Sequence, residues 1–171
     1  LKEYSNVICR ELDKFTLETN RKIQIMLEPG KFLTSESGFF LTKVNNIKKS
    51  YNTKFAQVNS GFNHFIRPTL YNSYNEIIKL NKDNDEKETY NVVGYICEKD
   101  TFAQQRTINK LKVGDLICFK NAGAYCFSMS SNYNSRVKPA EACIINNKIK
   151  LIRKRETVEN LLKNQINIFV K

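Results

Sequence analysis

Four short strings hold the residue types that could do chemistry. Glu28-Pro29-Gly30-Lys31 sets backbone N–H groups beside a glycine and a cation, an arrangement that can hold an anion such as a phosphate. In Ile66-Arg67-Pro68-Thr69-Leu70-Tyr71 the proline implies an extended entry, and the spacing of four puts Arg67 and Tyr71 on one face of a helical turn. Guanidinium and phenol donors placed that way could grip a carboxylate. Cys97-Glu98 puts a thiol beside a carboxylate at the end of the apolar run Val92-Val93-Gly94-Tyr95-Ile96. Gly123-Ala124-Tyr125 follows the apolar run Leu116-Ile117-Cys118-Phe119, and the small pair lets the backbone approach something closely. It leads into Cys126-Phe127-Ser128-Met129-Ser130-Ser131-Asn132-Tyr133-Asn134-Ser135-Arg136, dense in hydroxyls and amides and uncharged until its end, which reads as packed polar lining.

Each string also has a plainer reading. Pro-Gly is first of all a turn. An Arg and a Tyr can be structural, a Cys is commonly a small buried hydrophobe, and Ser and Asn satisfy backbone groups around short helices. On residues alone these alternatives stay open. His64, the only histidine, reads as a packed or exposed polar residue with no assigned role.

The elements that would position these strings can be read from periodicity. Tyr4, Ile8, Leu12 and Phe15 recur at helical spacing and predict an amphipathic helix over 4–19. A buried strand over 23–27 follows, stopped by Pro29-Gly30. A helix, a turn and a strand are half of an α/β unit, so residues 1–37 read as the last piece of a larger α/β domain. From residue 38 onward the texture is different. Runs at 39–44, 54–58, 74–80, 89–96, 116–119, 140–145 and 149–153 are short, apolar or alternating, and bounded by turn residues. Asn146-Asn147 predicts a tight hairpin, 81–88 an exposed loop, and 156–165 a closing helix capped by polar side chains. The fold class is therefore mainly β, a barrel or sandwich over 38–171.

The totals exclude several classes. Five cysteines without a close pair fit reduced thiols and a cytoplasmic setting better than a disulfide framework, with Cys118 and Cys143 as buried hydrophobes. One histidine and no clustered ligands give no metal site. No run of 18 apolar residues predicts a membrane helix. The start, Leu1-Lys2-Glu3-Tyr4, is not a signal peptide and lacks an initiator Met, so the chain is expected to begin inside a longer protein. A net charge of +11 raises nucleic acid as a partner. The basic residues are scattered, however, and the expectation is no nucleic acid and no membrane.

Taken in order, the four strings, together with Pro139-Ala140-Glu141, resemble the fold-type III, pyridoxal-phosphate-dependent amino-acid decarboxylases. The diaminopimelate decarboxylase branch matches best, over residues from about 28 to 165. The resemblance implies a C-terminal β-barrel preceded by the last helix and strand of a TIM-like barrel. It implies pyridoxal 5'-phosphate as cofactor, meso-diaminopimelate as substrate, and L-lysine and CO2 as products of lysine biosynthesis. The Schiff-base lysine, a ring-stacking histidine and a glycine-rich phosphate loop would all lie in an N-terminal barrel, so the fragment alone would be inactive.

The resemblance also implies roles. Glu28, Gly30 and Lys31 would close on the cofactor phosphate, Lys31 also on the substrate carboxylate, and Tyr125 would touch both molecules. Arg67 and Tyr71 would hold the distal carboxylate and Glu98 the distal amino group. Cys97 would donate the proton that replaces CO2. The Cys97-Glu98 pair would reach into the active site of a homodimer partner. The sequence departs from the pattern twice. Lys31 stands where Arg is usual, keeping charge but losing a bidentate fork. Asp100 falls one position before Thr101, where many members carry Asp, and no role is rested on either. Arg136 and Glu141 read as structural. The alternatives are a related decarboxylase of another diamino or carboxylated amino acid, and a non-catalytic basic β-barrel binding module.

Overall fold

The structure, a computed structural model, describes residues 1–81, 86–166 and 168. Helix α1 (Lys2–Thr19) forms where the spacing placed it and ends at Asn20, which takes the left-handed conformation with its N–H on Thr16 O at 2.9 Å. No residue of α1 is buried. The predicted buried strand at 23–27 does not form: these residues join no ladder among the described residues, and Ile23, Ile25, Met26 and Leu27 are exposed. A strand needs a neighbour to satisfy its backbone, and no described residue supplies one.

The remainder builds a six-stranded sheet in the order β3-β6-β1-β2-β4-β5. Its strands are β1 (Phe40–Ser50), β2 (Thr53–Val58), β3 (Ile77–Lys79), β4 (Lys87–Val93), β5 (Thr101–Asn109) and β6 (Leu116–Phe119). The short helix α2 (Arg67–Tyr71) lies between β2 and β3 in the chain. Neighbours are antiparallel except β2 and β4, which run parallel. The end strands β3 and β5 approach each other, so the sheet nearly closes into a barrel. Alternation sets the inner face in β1, where Phe40, Thr42 and Val44 are buried while Leu41 and Lys43 are exposed. Phe40, Phe65, Phe102 and Phe119 form one aromatic cluster with centroid spacings of 5.3–6.3 Å. Each buried ring contributes about 2–3 kcal/mol.

A buried ion pair sits at the closure. Lys79 Nζ lies 2.9 Å from Asp115 Oδ2 and donates to Lys110 O at 2.9 Å, joining the end of β3 to the chain leaving β5. Charges this deep are retained only when their hydrogen bonds are also satisfied.

Beyond the barrel, β7 (Glu141–Ile145) and β8 (Lys148–Arg153) form a separate hairpin. Asn146 and Asn147 turn it with φ of 51° and 58°, the double left-handed turn that Asn tolerates. Helix α3 (Val158–Leu162) is shorter than expected. Its capping box is borne by Thr157 and Asn160. In the predicted loop at 81–88, residues 82–85 lie outside the described residues, and β4 already begins at Lys87.

Candidate functional site

Around Arg67 the structure gathers residues from three of the four strings. Pro68 occupies the first turn of α2, where its missing N–H costs nothing, and Ile66 before the helix has φ −77° and ψ −24°. The expected extended entry is therefore absent: the helix begins at Arg67 itself. The spacing of four nevertheless holds, and the Arg67 guanidinium lies 4.8 Å from the centre of the Tyr71 ring. It also lies 5.4 Å from the Tyr125 ring. Arg67 is half-buried, and among the described residues no carboxylate pairs with it.

Tyr125 is held by an unusual backbone. Its φ is 61°, left-handed for a bulky residue. Behind it, the glycine at 123 answers to a close approach. A Cβ there would fall 1.8 Å from Thr34 O, and its N–H donates to Ser35 O at 3.0 Å. The small pair thus lets the 121–124 backbone lie directly against the 34–38 turn, with Ala122 N–H on Gly38 O at 2.8 Å. On the exposed side the Tyr125 hydroxyl rests on Gly30, where a Cβ would sit 1.8 Å from it. The Glu28 turn is closed by Gly30 N–H on Glu28 O at 2.7 Å and Phe32 N–H on Pro29 O at 3.1 Å. Arg67, Tyr71, Tyr125 and Gly30 therefore form one cluster. The side chains of Glu28 and Lys31 stand exposed on the turn at its edge.

Cys97 and Glu98 belong to a second cluster. Both are exposed, and the Cys97 thiol donates to Glu98 Oε2 at 3.3 Å. The Tyr133 hydroxyl donates to Glu98 Oε1, and Asn134 Nδ2 lies 3.9 Å from Cys97 Sγ. These bonds hold the Glu98 carboxyl below its ordinary value, the Tyr133 bond most strongly, and push the Tyr133 phenol up. Tyr133 and Asn134 carried no role in the sequence reading, although both lie in the singled-out stretch. Among the described residues no hydrogen bond or ion pair joins this cluster to Arg67. That stretch is packed only in its first part: Cys126, Phe127 and Met129 are half-buried and Ser130 is buried, while Ser128 and residues 131–136 are exposed, with a 3-10 turn at Tyr133–Ser135.

The loop at 59–66 links the two clusters. Asp100, buried, accepts from Phe62 N–H and Ile96 N–H at 2.8 Å each, fastening that loop to the one carrying Cys97 and Glu98. Burial pushes its carboxyl above the ordinary value, opposed by the two N–H bonds. His64, also buried, bonds Ser60 Oγ at 2.9 Å and Val137 O at 3.0 Å, the packed polar role expected of it. Arg136 lies 4.4 Å from the Tyr95 ring, and Glu141 pairs with Arg153. The cysteines are all free; Cys118 is buried, Cys143 is half-buried rather than fully so, and burial pushes the Cys126 thiol up to about 12. No group of metal-ligating side chains occurs among the described residues. No helix among them is long and apolar enough to cross a membrane.

Comparison with known proteins places this geometry in a family. A family model described as the pyridoxal-dependent decarboxylase, C-terminal sheet domain, matches residues 31–123. The diaminopimelate decarboxylase of Methanothermobacter thermautotrophicus is 45% identical over 141 residues, covering 81% of this chain and 33% of that protein. That of Archaeoglobus fulgidus is 38% identical over 166 residues, covering 96% of this chain and 39% of that protein. Among solved structures, the diaminopimelate decarboxylase from m. jannaschii in complex with L-lysine superposes with a TM-score of 0.78 at 35% identity. It covers 89% of this chain and 36% of that one. The chain thus spans between a third and two fifths of the length of these relatives.

Proposed function

Because this chain belongs to the pyridoxal-dependent decarboxylases, as their C-terminal sheet domain, we propose that it is the C-terminal part of a diaminopimelate decarboxylase. The whole protein would convert meso-2,6-diaminopimelate to L-lysine and CO2 in the cytoplasm. The observation that carries this reading is Arg67, half-buried between two tyrosine rings and without a paired carboxylate among the described residues. A fixed guanidinium flanked by phenols is a receptor for a carboxylate from outside the chain. The lysine-bound relative supports a substrate of that size and chemistry.

The residues present also fit the cofactor. Gly30 leaves room against the Tyr125 hydroxyl that any side chain would fill, and Lys31 adds a cation on the same turn. Gly30, Lys31, Tyr125 and the Glu28 turn would hold the phosphate side of pyridoxal 5'-phosphate, whose main anchor lies outside this chain. When bound, that cofactor supplies the electron sink that carboxylate loss requires. Arg67 and Tyr71 bind the distal carboxylate, and Lys31 the carboxylate nearer the reacting carbon. Glu98 accepts the distal ammonium, and Cys97 delivers a proton from Sγ to the carbon that has lost CO2.

Among the described residues no hydrogen bond or ion pair joins the exposed Cys97–Glu98 cluster to the Arg67 cluster, so we assign it to the active site of a second copy of the chain in a homodimer. Residues 1–37 are assigned to the end of an α/β barrel and 38–171 to the β domain. An unpaired apolar segment at 23–27 and a helix without buried residues support that division. Glu98→Gln in the full-length enzyme tests the reading. It is expected to lower kcat/KM on diaminopimelate at least about tenfold, the loss of one charge-assisted contact, with cofactor absorbance unchanged. Unaltered kinetics would remove Glu98 from the site.

A further inference from the structure

We propose that Tyr133 and Asn134 are positioning residues for the Cys97–Glu98 pair, Tyr133 fixing the Glu98 carboxylate and Asn134 orienting the Cys97 thiol. The inference rests on the assignment of that pair to the active site. Two neighbouring side chains of one turn meet two neighbouring side chains of one loop, hydroxyl to Oε1 and amide to Sγ. Sequence separation is large, so this pairing is made by the fold and not by local chain geometry.

The turn is built to present them. Asn134 and Ser135 both take left-handed φ, at 55° and 54°, inside a single 3-10 turn. Two consecutive non-glycine residues in that region cost energy and persist only when the surroundings hold them. Here Ser131 N–H donates to Asn63 O at 2.8 Å before the turn. After it, Asn132 Nδ2 bonds Arg136 O at 3.0 Å, and Arg136 lies over Tyr95. The Tyr133 ring packs on Phe62 with centroids 5.4 Å apart, fixing where its hydroxyl points.

The consequence for Glu98 is geometric. Its side chain is exposed, and the side chains that bond it among the described residues are Tyr133 and the adjacent Cys97. With Oε1 tied to the phenol and Oε2 against the thiol, both oxygens of the carboxylate are held in place. Without the phenol it would rotate about an exposed side chain, and a distal ammonium would meet it in many orientations. The lowered Glu98 titration agrees with a phenol that donates to the ionised form.

The experiment uses full-length enzyme carrying Tyr133→Phe, which keeps the ring contact with Phe62 and removes only the hydroxyl. It should raise KM for meso-diaminopimelate about tenfold, the effect of one hydrogen bond to a charged group, with a smaller change in kcat. The acid limb of the kcat/KM profile should move to higher pH, because Glu98 loses a donor that favours its charged form. A second variant, Asn134→Ala, should speed iodoacetamide alkylation of Cys97, followed by mass spectrometry, about threefold, since the amide against Sγ restricts how the sulfur meets the reagent. Unchanged KM and pH profile in Tyr133→Phe, with Glu98→Gln impaired, overturn the role of Tyr133 alone. An unchanged alkylation rate overturns that of Asn134. Unchanged kinetics in both Tyr133→Phe and Glu98→Gln overturn the assignment of Glu98 beneath it.

Discussion

His64 is 7% exposed, with Ser60 on one ring nitrogen and the Val137 carbonyl on the other. Burial pushes its titration below the ordinary histidine value, only partly offset by the Val137 bond. The folded chain therefore prefers the neutral ring, and the unfolded chain takes up a proton first as pH falls. Its contribution to stability is fully present above the ordinary histidine range of about 6.5 and is lost as pH drops below it. The melting temperature of the chain should fall between pH 7 and pH 5, and His64→Gln should flatten that dependence. Equal slopes in the two proteins would contradict the account. A second single-residue feature is Lys31, where the charge of the usual arginine is kept on a flexible stem. In the proposed site it would neutralise an anion as a point charge and not as a fork.

Asp100 shows how an element is placed rather than a side chain. It ties Phe62 and Ile96 N–H groups together from a position where Gly94 and Gly61 leave room, since a Cβ on Gly94 would lie 2.1 Å from Asp100 Oδ2. Asp100→Ala would leave two buried donors unpaired, at about 2–3 kcal/mol. It should lower the melting temperature and reduce turnover through the 97–98 loop while the cofactor stays bound; a variant of native stability would contradict this. The same region shows the reach of sequence reading. Pattern alone gave Asp100 no role, because hydrogen bonds between loops leave no periodicity. Strand β5 was not predicted for a related reason. Gln105 has φ 49° and its N–H bonds Asn91 Oδ1 at 2.8 Å, a bulge that breaks the two-residue alternation between Ala103 and Ile108. Strands β2, β6, β7 and β8 were legible because their apolar runs end at turn residues. The Arg67–Tyr71 face was legible because helical spacing is short-range. The approach of Tyr125 to Arg67, and of Tyr133 to Glu98, depends on how loops far apart in sequence fold back.

Across the whole molecule, a nearly closed barrel carries the two clusters, while α1 and residues 23–27 lie outside its core with apolar side chains exposed. The buried Lys79–Asp115 pair closes the barrel from within. The net charge of +11 is distributed over this surface and is not gathered into the strings that carry chemistry. The division of labour proposed here gives one chain the carboxylate clamp of Arg67 and Tyr71, and gives its partner the proton donor and distal contact of Cys97 and Glu98. That division sets substrate choice by the full-length dimer. The measurement is CO2 release from meso-diaminopimelate, with L-ornithine and L-arginine assayed alongside under saturating pyridoxal 5'-phosphate. Release from diaminopimelate alone is the predicted result. Release from ornithine or arginine, or none from any of the three with cofactor bound, would contradict it.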